Sequence, residues 1–127
     1  SVERVLALLD ARMGEVYSGF YERTGDGYVL RGDIRVSAPA DVILPSDADW
    51  VACGNGLSAY PLLQERLQAA GRPGDAAVQP KAAVVAALAA AKAQRGEGID
   101  AALAAPLYIR DKVAKTVAER LNEGGRA

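Results

Sequence analysis

Asp10-Ala11-Arg12-Met13-Gly14-Glu15 sets an acid, a base and a second acid in one short stretch, directly after the apolar run Val5–Leu9. A strand that ends in charged side chains and a glycine turn holds them at a rigid edge, where clefts usually open. Asp10, Arg12 and Glu15 therefore read as an acid/base cluster. They read equally as a structural set, with Asp10 and Arg12 pairing with each other or with turn backbone and fixing the strand crossing. Gly54-Asn55-Gly56, between a strand and a helix, suits a phosphate or ribose near unpaired N–H groups; an ordinary strand-to-helix turn uses the same residues. Tyr108 and Arg110 could stack on or clamp a partner, or dock a tail.

Much familiar chemistry is missing. The chain has no histidine, which removes His-dependent triads, two-histidine metal helices and the imidazole general base. Cys53 has no histidine to activate it, and a cysteine ending an apolar strand reads as a small core residue. Asp41, Asp47 and Asp49 lack the spacing of a calcium loop and read as a solvated loop. No metal site and no catalytic residue is predicted.

The elements that would position these residues follow from periodicity. Val5–Leu9 is apolar at every position, the pattern of a strand covered on both faces. Val16–Tyr21 and Tyr28–Val36 are rich in β-branched and aromatic residues and flank Thr24-Gly25-Asp26-Gly27, a hairpin signal. Three consecutive antiparallel strands are expected. A short helical turn over 37–44 follows, then a strand over 50–53 and a helix from Ser58 or Tyr60 to Ala70. Leu63, Leu67 and Ala70 form its stripe and Gly71 caps it. Val78 suggests a brief strand, and Pro80 opens a helix to Arg95 with Val84, Leu88 and Ala91 on one face. An extended segment, 106–110, leads to a last helix over 112–122 bearing Val113, Val117 and Leu121. This order predicts an α/β fold of the ribonuclease-H kind, a mixed sheet with flanking helices.

At 127 residues the chain fits one domain, burying roughly two-thirds of the surface its unfolded form exposes. A net charge of −1 argues against sequence-independent nucleic-acid binding. Residues 1–105 carry ten basic and thirteen acidic side chains and residues 106–127 five and three, a slightly basic tail on an acidic body. A single cysteine excludes an internal disulfide and suits a reducing, cytoplasmic setting. No apolar run approaches the ~20 residues of a membrane span. The opening Ser1-Val2-Glu3-Arg4, with no initiator methionine, reads as a piece cut from something longer.

Asp10 through Tyr17, then Gly54-Asn55-Gly56 followed by Tyr60, then Pro106-Leu107-Tyr108-Ile109-Arg110-Asp111-Lys112-Val113-Ala114, resemble the second half of the TsaB (YeaZ) family. The resemblance covers nearly the whole chain. It implies an actin/Hsp70-like (ASKHA) fold of two ribonuclease-H-like lobes, with residues 1–105 as the second lobe, 106–127 as a C-terminal tail and the first lobe absent. It further implies a non-catalytic partner subunit in the synthesis of threonylcarbamoyladenosine in transfer RNA, supporting a TsaD-like transferase together with a TsaE-like ATPase. A homodimer is a further expected partner, and ATP or ADP is expected only at the partner interface of a full-length protein. Asp10, Arg12, Glu15, Gly54, Asn55, Gly56, Tyr108 and Arg110 are the interface or ligand candidates. The alternatives are a residual glycoprotease-like hydrolase or group-transferase using Asp10, Arg12 and Glu15, or a nucleotide-binding module. By the same resemblance the tail helix packs on the first lobe. Without that lobe, self-association or a displaced tail is expected.

Overall fold

The structure, a computed structural model, describes residues 2–25, 27–46, 49–72 and 74–110. Five strands form one mixed sheet in the order β3-β2-β1-β4-β5. β1 (Arg4–Asp10), β2 (Val16–Thr24) and β3 (Gly27–Ser37) are the antiparallel series expected from their apolar, β-branched and aromatic runs and glycine turns. β4 (Val51–Cys53) then pairs in parallel with β1, and β5 (Gly74–Asp75) with β4. The crossover from β3 to β4 carries a single 3-10 turn, Pro39–Asp41, in place of the longer helical turn expected over 37–44.

The alternation of β1 decides which face is the core. Leu6 and Leu8 are buried, and their cross-strand neighbours Phe20, Ser18 and Ala52 continue the same face. Leu57, Leu63, Leu67, Val42 and Trp50 cover it. The Trp50 indole donates to the Pro45 carbonyl at 3.2 Å, so its polar atom is satisfied at the edge of the core. Arg66 donates to the carbonyls of Pro39 and Val42 at 2.6 and 2.8 Å, tying the covering helix to the crossover.

The helix expected from 58 or 60 to 70 is two helices, α1 (Gly56–Ala59) and α2 (Pro61–Ala69). The break is chemical. Pro61 lacks an N–H and disfavours the helical region for the residue before it, and Tyr60 accordingly takes φ −131°, ψ 95°. Leu63 and Leu67 are buried as expected, whereas Ala70 is exposed. Gly71 closes α2 with a left-handed φ of 67°; Arg72 N–H donates to Leu67 and Gly71 N–H to Gln68, the paired bonds of a Schellman cap.

The brief strand expected at Val78 lies instead at Gly74–Asp75. A Cβ at Gly74 would stand 2.6 Å from a Leu57 methyl, so this glycine lets β5 lie against the core beside α1. α3 (Ala82–Gln94) starts two residues after Pro80 and buries nothing, so the stripe of Val84, Leu88 and Ala91 has no covering. The second face of the sheet is consequently half-covered. Val5, Ala7, Tyr21 and Val51 look toward Val84 and Leu88 across a cavity of ≈ 850 Å³. Alanine methyls are too short to bridge such a gap. The tail helix expected over 112–122, with Val113, Val117 and Leu121, lies outside the described residues, as do Asp26 and Asp47.

The two faces should respond differently to truncation. Leu63→Ala, fully buried, is expected to cost about 2–5 kcal/mol. Leu88→Ala, 59% exposed, should stay within about 0.5 kcal/mol. Urea denaturation of both variants checks the contrast.

Candidate functional site

β1 ends at Asp10, at the same end of the sheet as the carboxyl end of its parallel neighbour β4. Gly54, with φ 122°, turns the chain out of β4 so closely that a Cβ there would overlap the Leu8 carbonyl oxygen; a Cβ at Gly56 would sit 3.0 Å from the same atom. Asn55, between them, accepts the Asp10 backbone N–H on its side-chain oxygen at 3.1 Å. The Gly54-Asn55-Gly56 turn is thus spent on joining β4 and α1 to the end of β1.

Asp10 is the hub. Its Oδ1 accepts the Tyr60 hydroxyl at 2.9 Å and the Arg12 backbone N–H at 2.8 Å, and its Oδ2 lies 3.1 Å from the Arg12 guanidinium. Only 13% of the side chain is exposed. The Arg12 amide, followed by the Tyr60 hydroxyl, holds the carboxyl below the ordinary aspartate value. Burial, then the bond to Asp10, pushes the Tyr60 phenol up. Sequence reasoning left Tyr60 out of the site. The signal was present: a tyrosine just before Pro61 is forced out of helix and aims its ring back at the strand end.

Between Asp10 and β2 the chain makes a tight loop closed by Ala11 N–H to Glu15 O at 2.9 Å and Glu15 N–H to Arg12 O at 3.0 Å. Arg12, Met13 and Gly14 all adopt left-handed φ, at 63°, 55° and 77°. For Arg12 and Met13 this costs about 1–3 kcal/mol each. Arg110 grips the loop from the far end of the chain. Its guanidinium donates to the Glu15 carboxylate, to the Ala11 carbonyl at 3.2 Å and to the Met13 sulphur at 3.5 Å. The Arg110 side chain is only 12% exposed, and its Nε is buried without a hydrogen-bond partner among the described residues.

The structure therefore gathers Asp10, Arg12, Glu15, Gly54, Asn55, Gly56 and Arg110 at one end of the sheet. Tyr108, 78% exposed, stands two residues before Arg110 and makes no hydrogen bond among the described residues. Cys53 is half-buried in β4, where burial and then the Asp75 carboxylate raise its thiol pKa, which suits a core residue over a nucleophile. Among the described residues no group of three or more His, Cys, Asp or Glu is placed to hold a metal ion. None of the described helices is long and apolar enough to cross a membrane.

Because the Asp10 pKa is lowered on folding, its bonds stabilise the fold fully above the ordinary aspartate range; the contribution is lost as pH falls through the lowered value. Tyr60→Phe should raise the Asp10 midpoint toward the ordinary value. An NMR titration of the Asp10 carboxyl in both proteins checks this.

No protein-family model matches the chain. It is 30% identical over 115 residues to the tRNA threonylcarbamoyladenosine biosynthesis protein TsaB of Escherichia coli K12, covering 87% of this chain and 49% of that protein. A crystal structure of a Pseudomonas aeruginosa protein described as similar to the peptidase YeaZ superposes with a TM-score of 0.71 at 36% identity, over 86% of this chain and 50% of the other. YeaZ from Pseudomonas aeruginosa gives 0.69 at 35% identity, over 84% and 50%. The chain spans about half the length of these relatives. Over that half, sequence and sheet agree: the chain is similar to TsaB/YeaZ proteins and has the α/β fold of an ASKHA-type lobe.

Proposed function

We infer that the chain is a non-catalytic partner subunit, or the second lobe of one, in the machinery that makes threonylcarbamoyladenosine in transfer RNA. The observation that carries this reading is the similarity to a curated TsaB over 87% of the chain. In this reading residues 1–105 are the second ribonuclease-H-like lobe and 106–127 the tail. Its partner is a TsaD-type transferase, with a TsaE-type ATPase in the same assembly.

The strand-end chemistry supports a scaffold over a hydrolase. Asp10 would be the natural general base, yet three hydrogen-bond donors already occupy its carboxylate and lower its pKa, which makes it a weak base. Glu15 is engaged by Arg110. One structural relative is described as similar to a peptidase; here Cys53 has a raised pKa and the chain has no histidine, so neither a Cys–His nor a Ser–His pair is available.

Reconstitution tests the proposal. Transfer RNA is incubated with threonylcarbamoyl-adenylate, a purified TsaD-type transferase and a TsaE-type ATPase, with and without this protein. Modification should rise when the protein is added, and the protein alone should modify nothing. Unchanged modification together with no binding to the transferase would overturn the scaffold reading. Turnover by the protein alone, lost in Asp10→Ala, would replace it with the enzyme reading.

A further inference from the structure

Asn55-Gly56 is the one asparagine–glycine pair in the sequence; the other asparagine, Asn122, precedes Glu123. Glycine has no Cβ to shield its backbone nitrogen and lets the chain turn freely, so an asparagine before it deamidates wherever the backbone can move. The Gly56 nitrogen attacks the Asn55 side-chain amide carbon. A C–N bond forms, and the side-chain nitrogen leaves as ammonia, taking the proton from Gly56. Water then opens the five-membered imide on either side. One product is aspartate; the other is isoaspartate, in which the main chain runs through the former side chain.

The fold opposes the first step, although Asn55 itself is exposed to water. At ψ −13° the Gly56 nitrogen lies almost eclipsed with the backbone nitrogen of Asn55, turned away from the side chain it would attack. Rotation is blocked at both ends. The Asn55 side-chain oxygen holds the Asp10 N–H at 3.1 Å, and the Asn55 carbonyl accepts the Ser58 and Ala59 N–H groups at 3.1 and 3.0 Å. Gly54 and Gly56 lie against the Leu8 carbonyl, which leaves the two peptides little room to turn.

We propose that Asn55 is a spontaneous deamidation site that this clamp keeps unreactive, and that isoaspartate, once formed there, bars the strand end from closing again. The two products leave different chains behind. Aspartate keeps the backbone and offers the same oxygen to the Asp10 N–H, at a helix N-cap where aspartate is favoured. Isoaspartate adds one atom to the main chain between residues 55 and 56 and turns the carbonyl that Ser58 and Ala59 bond into a carboxylate off the chain. The added length falls where the chain has least space, against Leu8. α1 then loses its first hydrogen bonds, and with it Leu57 leaves the core and Tyr60 leaves Asp10. The modification thus records an opening of the strand end and makes it irreversible. None of this depends on which partner the chain serves.

The protein is incubated in mildly alkaline buffer, native and in guanidinium chloride. Residue 55 is followed by mass spectrometry with electron-transfer fragmentation, which separates aspartate from isoaspartate. Deamidation should run at least about tenfold slower in the native protein, because it waits on local opening. Tyr60→Phe cuts the tie from the end of α1 to Asp10 and should raise the native rate, with the denatured rate unchanged. After removal of denaturant, chains carrying isoaspartate, resolved chromatographically, should melt roughly 5 °C or more below wild type, whereas Asn55→Asp should stay within about 2 °C. Equal rates in buffer and denaturant, or no reaction in denaturant, overturn the latent site. A native rate that Tyr60→Phe leaves unchanged overturns the clamp. Isoaspartyl chains that regain the wild-type Tm, or an Asn55→Asp protein that melts as low as they do, overturn the block on closing. If Tyr60→Phe does not fold, the wild-type rates and the isoaspartyl melting curve still decide.

Discussion

The backbone leaving β4 lies directly against the carbonyl of Leu8, and no side chain fits between them. Everything at the charged end of the sheet depends on that approach. With Gly54 and Gly56 pressed onto β1, Asn55 is carried to the Asp10 amide and the short α1 follows immediately. α1 ends at Tyr60 because Pro61 follows, and Tyr60 comes out of the helix within reach of the Asp10 carboxylate. The same packing places Leu57 and Leu63 over Leu6 and Leu8. One steric constraint thus sets both the core beneath β1 and the polar cluster at its end.

The antiparallel strands and Leu63–Leu67 stripe were legible because local rules and tertiary environment agree there. Apolar and β-branched runs, a glycine turn and a buried face all point the same way. The pairing of Asp10 with Arg12 was legible as one of two readings, since residues two apart across a turn meet without help from the rest of the fold. The Arg110–Glu15 contact was not. It joins residues 95 apart in sequence, and only the three-dimensional path of the segment after Pro106 brings them together. β5 was hidden for a similar reason: Gly74–Asp75 has no strand propensity and becomes a strand only because Ala52 and Cys53 offer it a partner.

α3 shows the limit of periodicity from the other direction. All but Lys92 and Gln94 of its thirteen residues are apolar, so every face of the helix looks like a core face and the sequence cannot single one out. A helix apolar all round belongs in an interior. Here it stands with every residue exposed, beside a sheet face whose Val5, Ala7 and Val51 it does not touch closely. The strand β1, apolar at every position from Val5 to Leu9, is matched to two covered faces and has one. Both elements carry more apolar surface than their neighbours in the described residues bury.

The loop after β1 inverts this relation between burial and composition. Asp10 and Arg110 are charged yet only 13% and 12% exposed, and both bond to neighbouring groups, Arg110 to the more exposed Glu15 among them. Met13 is apolar and exposed. If the loop served only to connect β1 to β2, the low-energy solution would be two glycines, with the charged residues in solvent and the methionine inside. The chain instead holds Asp10 and Arg110 in and leaves Met13 out. Arg110 holds the loop through the Glu15 carboxylate, the Ala11 carbonyl and the Met13 sulphur, beside the left-handed backbone of Arg12 and Met13.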